Sequence, residues 1–300
     1  MSRNPSGRLV LCALRLLPLH ALSRAAGALA ALRLPGPVQR AQIRCFGRIV
    51  GVDFGEVRDP IASFRSLQAF FTRALAEGAR PLDPDPRAFV APCDGVWGAA
   101  GTVERGLLLQ VKGRHYSLAT LLGSDSDAAR YEGGAFATFY LAPKDYHRFH
   151  APCDVRIARA RYLPGALWPV NPLGVENVPG LFAENERICA FMEVGGEHGA
   201  QPLCIVAVGA TLVGKIRLRF DDLSTHAGRS AQERGYGEDA HAFAKGQEWG
   251  CFEFGSSLIV LAAPGWLDLT PSAPGTPLRL GRRIGTLRAA AAPAPGGAPR

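Results

Sequence analysis

The sequence predicts an α+β fold, with N-terminal helices set on a predominantly antiparallel β body, and three observations carry that expectation. Good helix formers and apolar residues at helical spacing dominate up to about residue 82. Beyond that point, short apolar or alternating segments are punctuated by Gly, Pro and Asp, which is how strands joined by turns read. At 300 residues, 47% hydrophobic and 20% charged, the chain has the apolar content to bury a core and too little charge for a disordered polymer.

Residues 1–52 read as a basic helical arm. They carry eight arginines (Arg3, Arg8, Arg15, Arg24, Arg33, Arg40, Arg44, Arg48) and no Asp or Glu, which accounts for the whole net charge of +8 and leaves the rest of the chain neutral. The stretch at 7–33 is rich in Leu and Ala, but Arg15, Arg24 and Arg33 leave no uncharged run of the roughly 18 residues that a membrane span needs. Pro18 is expected to kink it. After Pro35 and Pro37 the pattern sharpens. Arg40, Arg44 and Arg48 fall on one helical stripe, with Ile43, Phe46, Ile49 and Val50 on the other side. Like charges at four-residue spacing repel, and anionic headgroups would relieve that repulsion. An anionic membrane surface is therefore the expected partner of the arm, ahead of a plain core-facing helix or a targeting peptide. Nucleic acid is not expected, because only Phe46 interleaves with the arginines as a stacking residue.

The body is expected to span residues 53–288. A helix is predicted over 60–82, through Phe64, Leu67, Phe70 and Phe71, stopping near Gly78 and Pro81. Strands are predicted at 89–92, 107–111, 135–141, 187–194, 202–213, 216–220 and 258–262, with a helix at 116–122. The run Leu258, Ile259, Val260 and Leu261, stopped by Pro264 and Gly265, reads as a strand buried on both faces. Residues 289–300 have the composition of a disordered tail. The seven cysteines are scattered singly with no C-x-x-C pair, so neither a disulfide framework nor a metal ribbon is indicated.

Four stretches are chemically loaded. SFRSLQAFFTRALAEGARPLD comes first, APCDGVWG carries Asp94, YLAPKDYHRFHAP carries His147 and His150, and FGSS carries Gly255 and Ser256 at the mouth of the buried run. An acid, a histidine pair and a serine are the ingredients of nucleophilic catalysis, in which imidazole takes the hydroxyl proton and a carboxylate steadies the imidazole. Each also has an ordinary structural reading, since Asp-Gly is a common turn dipeptide and Gly-Ser-Ser is common loop composition. A Gly-Ser peptide bond is, in addition, one whose backbone can be strained open to attack by the serine's own hydroxyl.

Together and in this order, the blocks FFTR, ARPLD, QVKGRHYSLATLLG, YLAPKDYHRFHAP, VNPLGVENVPGLFAENER, VGATLVGKI and FGSS resemble the phosphatidylserine decarboxylases from about Ser63 to Pro264. The resemblance implies a self-cleaving proenzyme. The family's processing motif usually reads Leu-Gly-Ser-Thr, and here Phe254 and Ser257 replace its first and last members. Cleavage is expected between Gly255 and Ser256, with Asp94, His150 and Ser256 as the processing triad and His147 serving in decarboxylation by supplying a proton to the carbanion. By the same resemblance, Ser256 becomes a covalent pyruvoyl group, through an ester and a dehydroalanine. That group forms a Schiff base with phosphatidylserine and accepts the electrons left by carbon dioxide. The implied partners are the lipid substrate and the two cleaved chains, held as a heterodimer, with further dimerisation left open. The implied location is peripheral, on the cytoplasmic face of a bacterial cell membrane or at the mitochondrial inner membrane of a eukaryote. Two other functions compete: a serine hydrolase using Ser256, His150 and Asp94, although Ser256 lacks a G-x-S-x-G elbow, and a non-catalytic membrane-binding β module.

Overall fold

In a computed structural model, which describes residues 19–111, 114–195, 200–211, 215–225, 230–253 and 257–288, the apolar run at 258–262 becomes a central strand of the largest sheet. The arm supplies α1 (Leu19–Ala31) and α2 (Gly36–Val50), and a short α3 (Leu67–Phe71) follows. The body continues with β1 (Ala88–Val90), β2 (Gly95–Thr102), β3 (Leu107–Val111), β4 (Arg114–Ser117), α4 (Leu118–Leu122) and α5 (Asp125–Ala129). Next come β5 (Ala135–Tyr140), β6 (Arg148–His150), β7 (Val155–Leu163), α6 (Pro172–Asn177), α7 (Leu181–Glu184), β8 (Arg187–Val194) and β9 (Gln201–Val208). The C-terminal part holds β10 (Ile216–Leu218), β11 (Gln232–Gly235), β12 (His241–Phe243), β13 (Glu248–Phe252), β14 (Ser257–Ala262), β15 (Leu267–Leu269), β16 (Pro277–Leu278) and β17 (Arg283–Leu287).

The main sheet runs β11-β7-β8-β9-β14-β5-β2-β16, with β12 also on β7, and every pairing in it is antiparallel. All six residues of β14 are buried between β9 and β5, as the unbroken apolar run requires. Two three-stranded sheets, β10-β13-β6 and β1-β17-β15, and the pair β3-β4 complete the β body. The α+β class is thus the one the sequence predicts.

The helix predicted over 60–82 is mostly absent. Residues 61–63 make one 3₁₀ turn and α3 covers only five residues. Ser66 caps α3 by accepting from the Ala69 amide (3.1 Å), and the Thr72 hydroxyl bonds back to the Gln68 carbonyl (3.2 Å). The Arg73 side chain then turns into the body to donate to the Lys144 and Asp145 carbonyls (2.7 and 3.1 Å). Ala74 meanwhile pairs with Arg58 through its backbone (3.0 Å). Tertiary hydrogen bonds override helix propensity here.

The arm is docked on the body. Ile43 is fully buried against Val52, Phe64 and Phe70, with Phe46 and Val50 packed alongside. Ile49 departs from the expected arrangement. It is 78% exposed rather than on the packed side, because it lies at the edge of the narrow contact stripe. No helix among the described residues is long and apolar enough to cross a membrane. The arginines and Pro18 within 1–18 and the tail at 289–300 lie outside the described residues.

Candidate active site

A single row of strand pairings gathers the candidate residues. Val96 pairs with Tyr140, Tyr140 with Ser257, and Ser257 with Val208. Asp94 and the start of β14 therefore share one end of the sheet. Gly95 makes that possible: its φ of 142° favours glycine, and a Cβ there would lie 2.2 Å from the Tyr140 carbonyl oxygen. Phe254, Gly255 and Ser256 lie outside the described residues. The chain on either side of them is fixed. Before them, Phe252 donates its amide to the His147 carbonyl (2.8 Å); after them, Ser257 opens β14.

Asp94 is buried and fully engaged. Its carboxylate accepts from Arg80 Nε (2.8 and 3.0 Å), from Arg80 Nη2 (2.6 Å) and from the Leu280 amide (2.9 Å). Arg80 also donates to Glu56 (2.7 Å), which accepts in turn from Arg279 (3.0 Å). The Arg80 hydrogen bond, ahead of opposing burial, holds the Glu56 carboxyl below the usual range.

His150 is oriented by something other than Asp94. The backbone brings the two residues together, since the His150 amide donates to the Pro92 carbonyl (2.8 Å). The imidazole, however, donates from Nδ1 to the Gly246 carbonyl (2.8 Å), and Nε2 accepts from the Tyr146 hydroxyl (3.1 Å). A carbonyl at Nδ1 fixes the tautomer with a lone pair on Nε2, and burial pushes the imidazole pKa down. His150 thus presents its Nε2 lone pair to a tyrosine hydroxyl.

His147 is fully buried, with its ring centroid 4.2 Å from that of Phe71. Its Nδ1 donates to the Asp145 carbonyl (2.8 Å), so Nε2 again carries the lone pair, and among the described residues that nitrogen has no hydrogen-bond partner. Burial pushes its pKa down to about 3. The expected proton donor is therefore neutral at rest and must gain a proton before it can give one. Ser257 Oγ is likewise buried without a partner.

The structure adds residues that sequence reasoning assigned no role. Tyr146 and Arg80 sit inside motif blocks that were recognised, but nothing in their spacing marks them as the partners of His150 and Asp94. Beside the row lies an apolar cavity of about 520 Å³ between arm and body, lined by Leu29, Phe46, Val50, Phe71, Tyr140 and Val170, among others. Among the described residues, no group of three or more His, Cys, Asp or Glu side chains is placed to hold a metal ion.

Residues 67–286 match the family model described as phosphatidylserine decarboxylase. A phosphatidylserine decarboxylase proenzyme of Anaeromyxobacter sp. (strain K) is 46% identical over 281 residues, covering 93% of this chain and 98% of that one. The proenzyme of Azotobacter vinelandii is 42% identical over 287 residues, covering 93% and 98%. That of Myxococcus xanthus is 38% identical over 278 residues, covering 91% and 96%. The chain belongs to the phosphatidylserine decarboxylase family and is a decarboxylase.

Proposed function

We propose that the chain decarboxylates phosphatidylserine to phosphatidylethanolamine, using a pyruvoyl group made from its own Ser256 by cleavage of the Gly255–Ser256 bond. The observation that carries this reading is the apolar cavity. It is large enough for acyl chain, and it meets the reactive end of the sheet at Tyr140, which pairs with Ser257, and at Phe71, which packs on His147. The residues present also fit a reactive carbonyl at position 256. His147 Nε2 and Ser257 Oγ are buried polar atoms without partners among the described residues, one beside the strand that precedes residues 254–256 and the other at the strand that follows them. When formed, the pyruvoyl group supplies a ketone that condenses with the substrate's amine and takes up the electrons released with carbon dioxide.

The protein's own groups divide the proton work. His150 Nε2 holds the lone pair that ends with the Ser256 proton, and the Tyr146 hydroxyl that donates to it can relay that proton, passing its own hydrogen to Nε2 as it takes the one from Ser256. Asp94, tied to Arg80, contributes the position of the Asp94–Gly95 corner and a fixed negative charge, while the Gly246 carbonyl orients His150. His147 Nε2 is free to accept the ammonium proton that the substrate must lose before it can react, and to return it to the carbanion. The substrate's own negative charges raise the basicity of His147 for that step.

Purified protein given phosphatidylserine vesicles should release carbon dioxide and form phosphatidylethanolamine. Borohydride added with the substrate should leave the lipid's serine-derived part attached to the smaller chain and abolish activity. An active protein with no carbonyl reactive towards hydrazine would refute the pyruvoyl reading.

The arm fits peripheral attachment to an anionic bilayer. Leu22, Leu29, Leu32, Val38 and Ile49 are all more than 40% exposed on α1, α2 and the link between them, beside Arg44 and Arg48. Reversing Arg40, Arg44 and Arg48 to glutamate should weaken binding to anionic vesicles on the order of a hundredfold, since each basic residue near the surface is worth about 1 kcal/mol. Salt should weaken the wild type as well, and sedimentation unchanged in both tests would remove the electrostatic part of the reading.

A further inference from the structure

We propose that Arg73 is a positioning residue for His147, acting through the Asp145 carbonyl that both side chains share and holding the imidazole as the tautomer with its lone pair on Nε2. The FFTR block supplies three consecutive grips on the block that carries the histidines. Phe71 packs its ring against that of His147 (4.2 Å between centroids), the Thr72 carbonyl accepts from Arg148 (2.9 and 2.7 Å), and Arg73 reaches the turn before them. Its Nη2 donates to the Lys144 and Asp145 carbonyls (2.7 and 3.1 Å), and the second of these also accepts from His147 Nδ1 (2.8 Å). A carbonyl oxygen has two lone pairs, so one guanidinium nitrogen and one imidazole nitrogen fill it. The turn is closed from its own side as well. The Asp145 amide donates to the Ala142 carbonyl (2.9 Å), and the Ala142 amide donates to the Asp145 carboxylate (2.7 Å). With that peptide pinned, rotating the His147 ring to offer Nδ1 instead would break its bond to the carbonyl and leave Arg73 there alone.

A buried cation is a costly way to hold a turn. Arg73 is only 4% exposed, and its Nε and Nη1 are buried with no hydrogen-bond partner among the described residues. An apolar side chain of similar length would fill the space at lower cost. What it would lack is the positive charge beside the imidazole. That charge opposes protonation of His147, in the same direction as burial of the ring, which is the larger cause. Asp94, Asp145 and Glu56 favour the charged guanidinium against its own burial.

The other charged groups on the elements around the histidine are paired or turned away. Arg148 pairs with Glu248 (2.9 Å), Asp94 with Arg80 (2.6 Å) and Glu253 with Arg217, while Lys144 is exposed. Burial keeps Tyr146 and Cys251 neutral by raising both pKa values. Removing Arg73 therefore lifts a repulsion that nothing else on these elements replaces, and the ring takes up a proton at a higher pH. The consequence for catalysis rests on the proton role proposed for His147, since a ring already protonated cannot take the ammonium proton from the substrate.

Nitrogen NMR on the full chain, labelled at histidine and kept uncut by Ser256→Ala, reads the ring without any turnover. His147 should show a protonated Nδ1 and a bare Nε2, with no titration from pH 8 down to pH 5. Arg73→Met should move the titration up by about one pH unit or more, or populate the tautomer protonated on Nε2. Arg73→Lys, which restores the charge, should largely reverse both changes. In the active enzyme, Arg73→Met should lower kcat on the order of a hundredfold, the scale of a misplaced catalytic group. KM should change little, because Arg73 is not among the residues lining the apolar cavity. Arg65→Met, an exposed charge just before α3, should leave both readouts unchanged. A ring that carries its proton on Nε2 before any change at Arg73 overturns the proposal, even if Arg73→Met fails to fold. So does an Arg73→Met ring with unaltered tautomer and titration. An altered ring with unaltered kcat would support the positioning and overturn the proton role of His147 instead.

Discussion

Ser256→Ala should yield one uncut chain of 300 residues with no decarboxylase activity, whereas the wild type should separate under denaturing conditions into residues 1–255 and 256–300. On the proposed mechanism, removing the nucleophile removes both the cut and the carbonyl that the cut creates. The loss should therefore be on the order of 10⁴-fold or more, the scale seen when a covalent catalytic group is deleted. Ser256→Cys should still cut slowly, since a thiol is also a competent nucleophile. Intact-mass analysis checks both, and a wild-type enzyme active as a single chain would refute the mechanism. The fold adds a further consequence. The small chain would begin at the central strand β14, which pairs along six residues with β5 and six with β9, and it would also carry β16 onto β2 and β17 onto β1. The two chains should thus copurify and part only in denaturant, because separating them would expose the buried face of the main sheet.

How much of this was legible in the sequence depends on where each signal lies. β14 and β8 were legible because a strand buried on both faces leaves an unbroken apolar run. β7 was not, although it alternates, because Arg156, Arg159 and Arg161 make it look like a solvated segment. In the fold, Arg159 pairs with Asp127 and lies 3.9 Å over the Phe191 ring. The predicted 60–82 helix failed because the hydrogen bonds that stop it come from residues 144 and 145, beyond any local window. At the site, the residue types were legible and their partners were not. The group that orients His150 is a backbone carbonyl 96 positions away, and a carbonyl has no residue identity to read. Asp94 was found as an acid, but its tie to Arg80 makes it a charge fixed in place rather than a free partner for imidazole.

The two histidines should separate the two reactions. His150→Ala should leave the chain uncut if its Nε2 is the base for Ser256, as proposed, whereas His147→Ala should cut at least partly and decarboxylate poorly. Their burial also gives the pH dependence a definite sign. His147 falls from an ordinary value of 6.5 to about 3, and His150 is lowered as well, each chiefly by burial. Below pH 6.5 the unfolded chain therefore binds protons that the folded chain refuses, so stability is present at neutral pH and is lost as the pH drops towards 3. His147→Ala removes that proton-linked stability along with some packing. The stability gap between wild type and variant should consequently shrink by about 2 kcal/mol between pH 7 and pH 5, as measured by denaturant unfolding of chains kept uncut by Ser256→Ala. A gap that widened on acidification would mean that His147 is charged in the folded protein, and the proton it gives the carbanion would then be resident rather than borrowed from the substrate. Normal cleavage by His150→Ala would be the more serious result, since it would hand the Ser256 proton to a group other than the imidazole that Gly246 and Tyr146 hold in place.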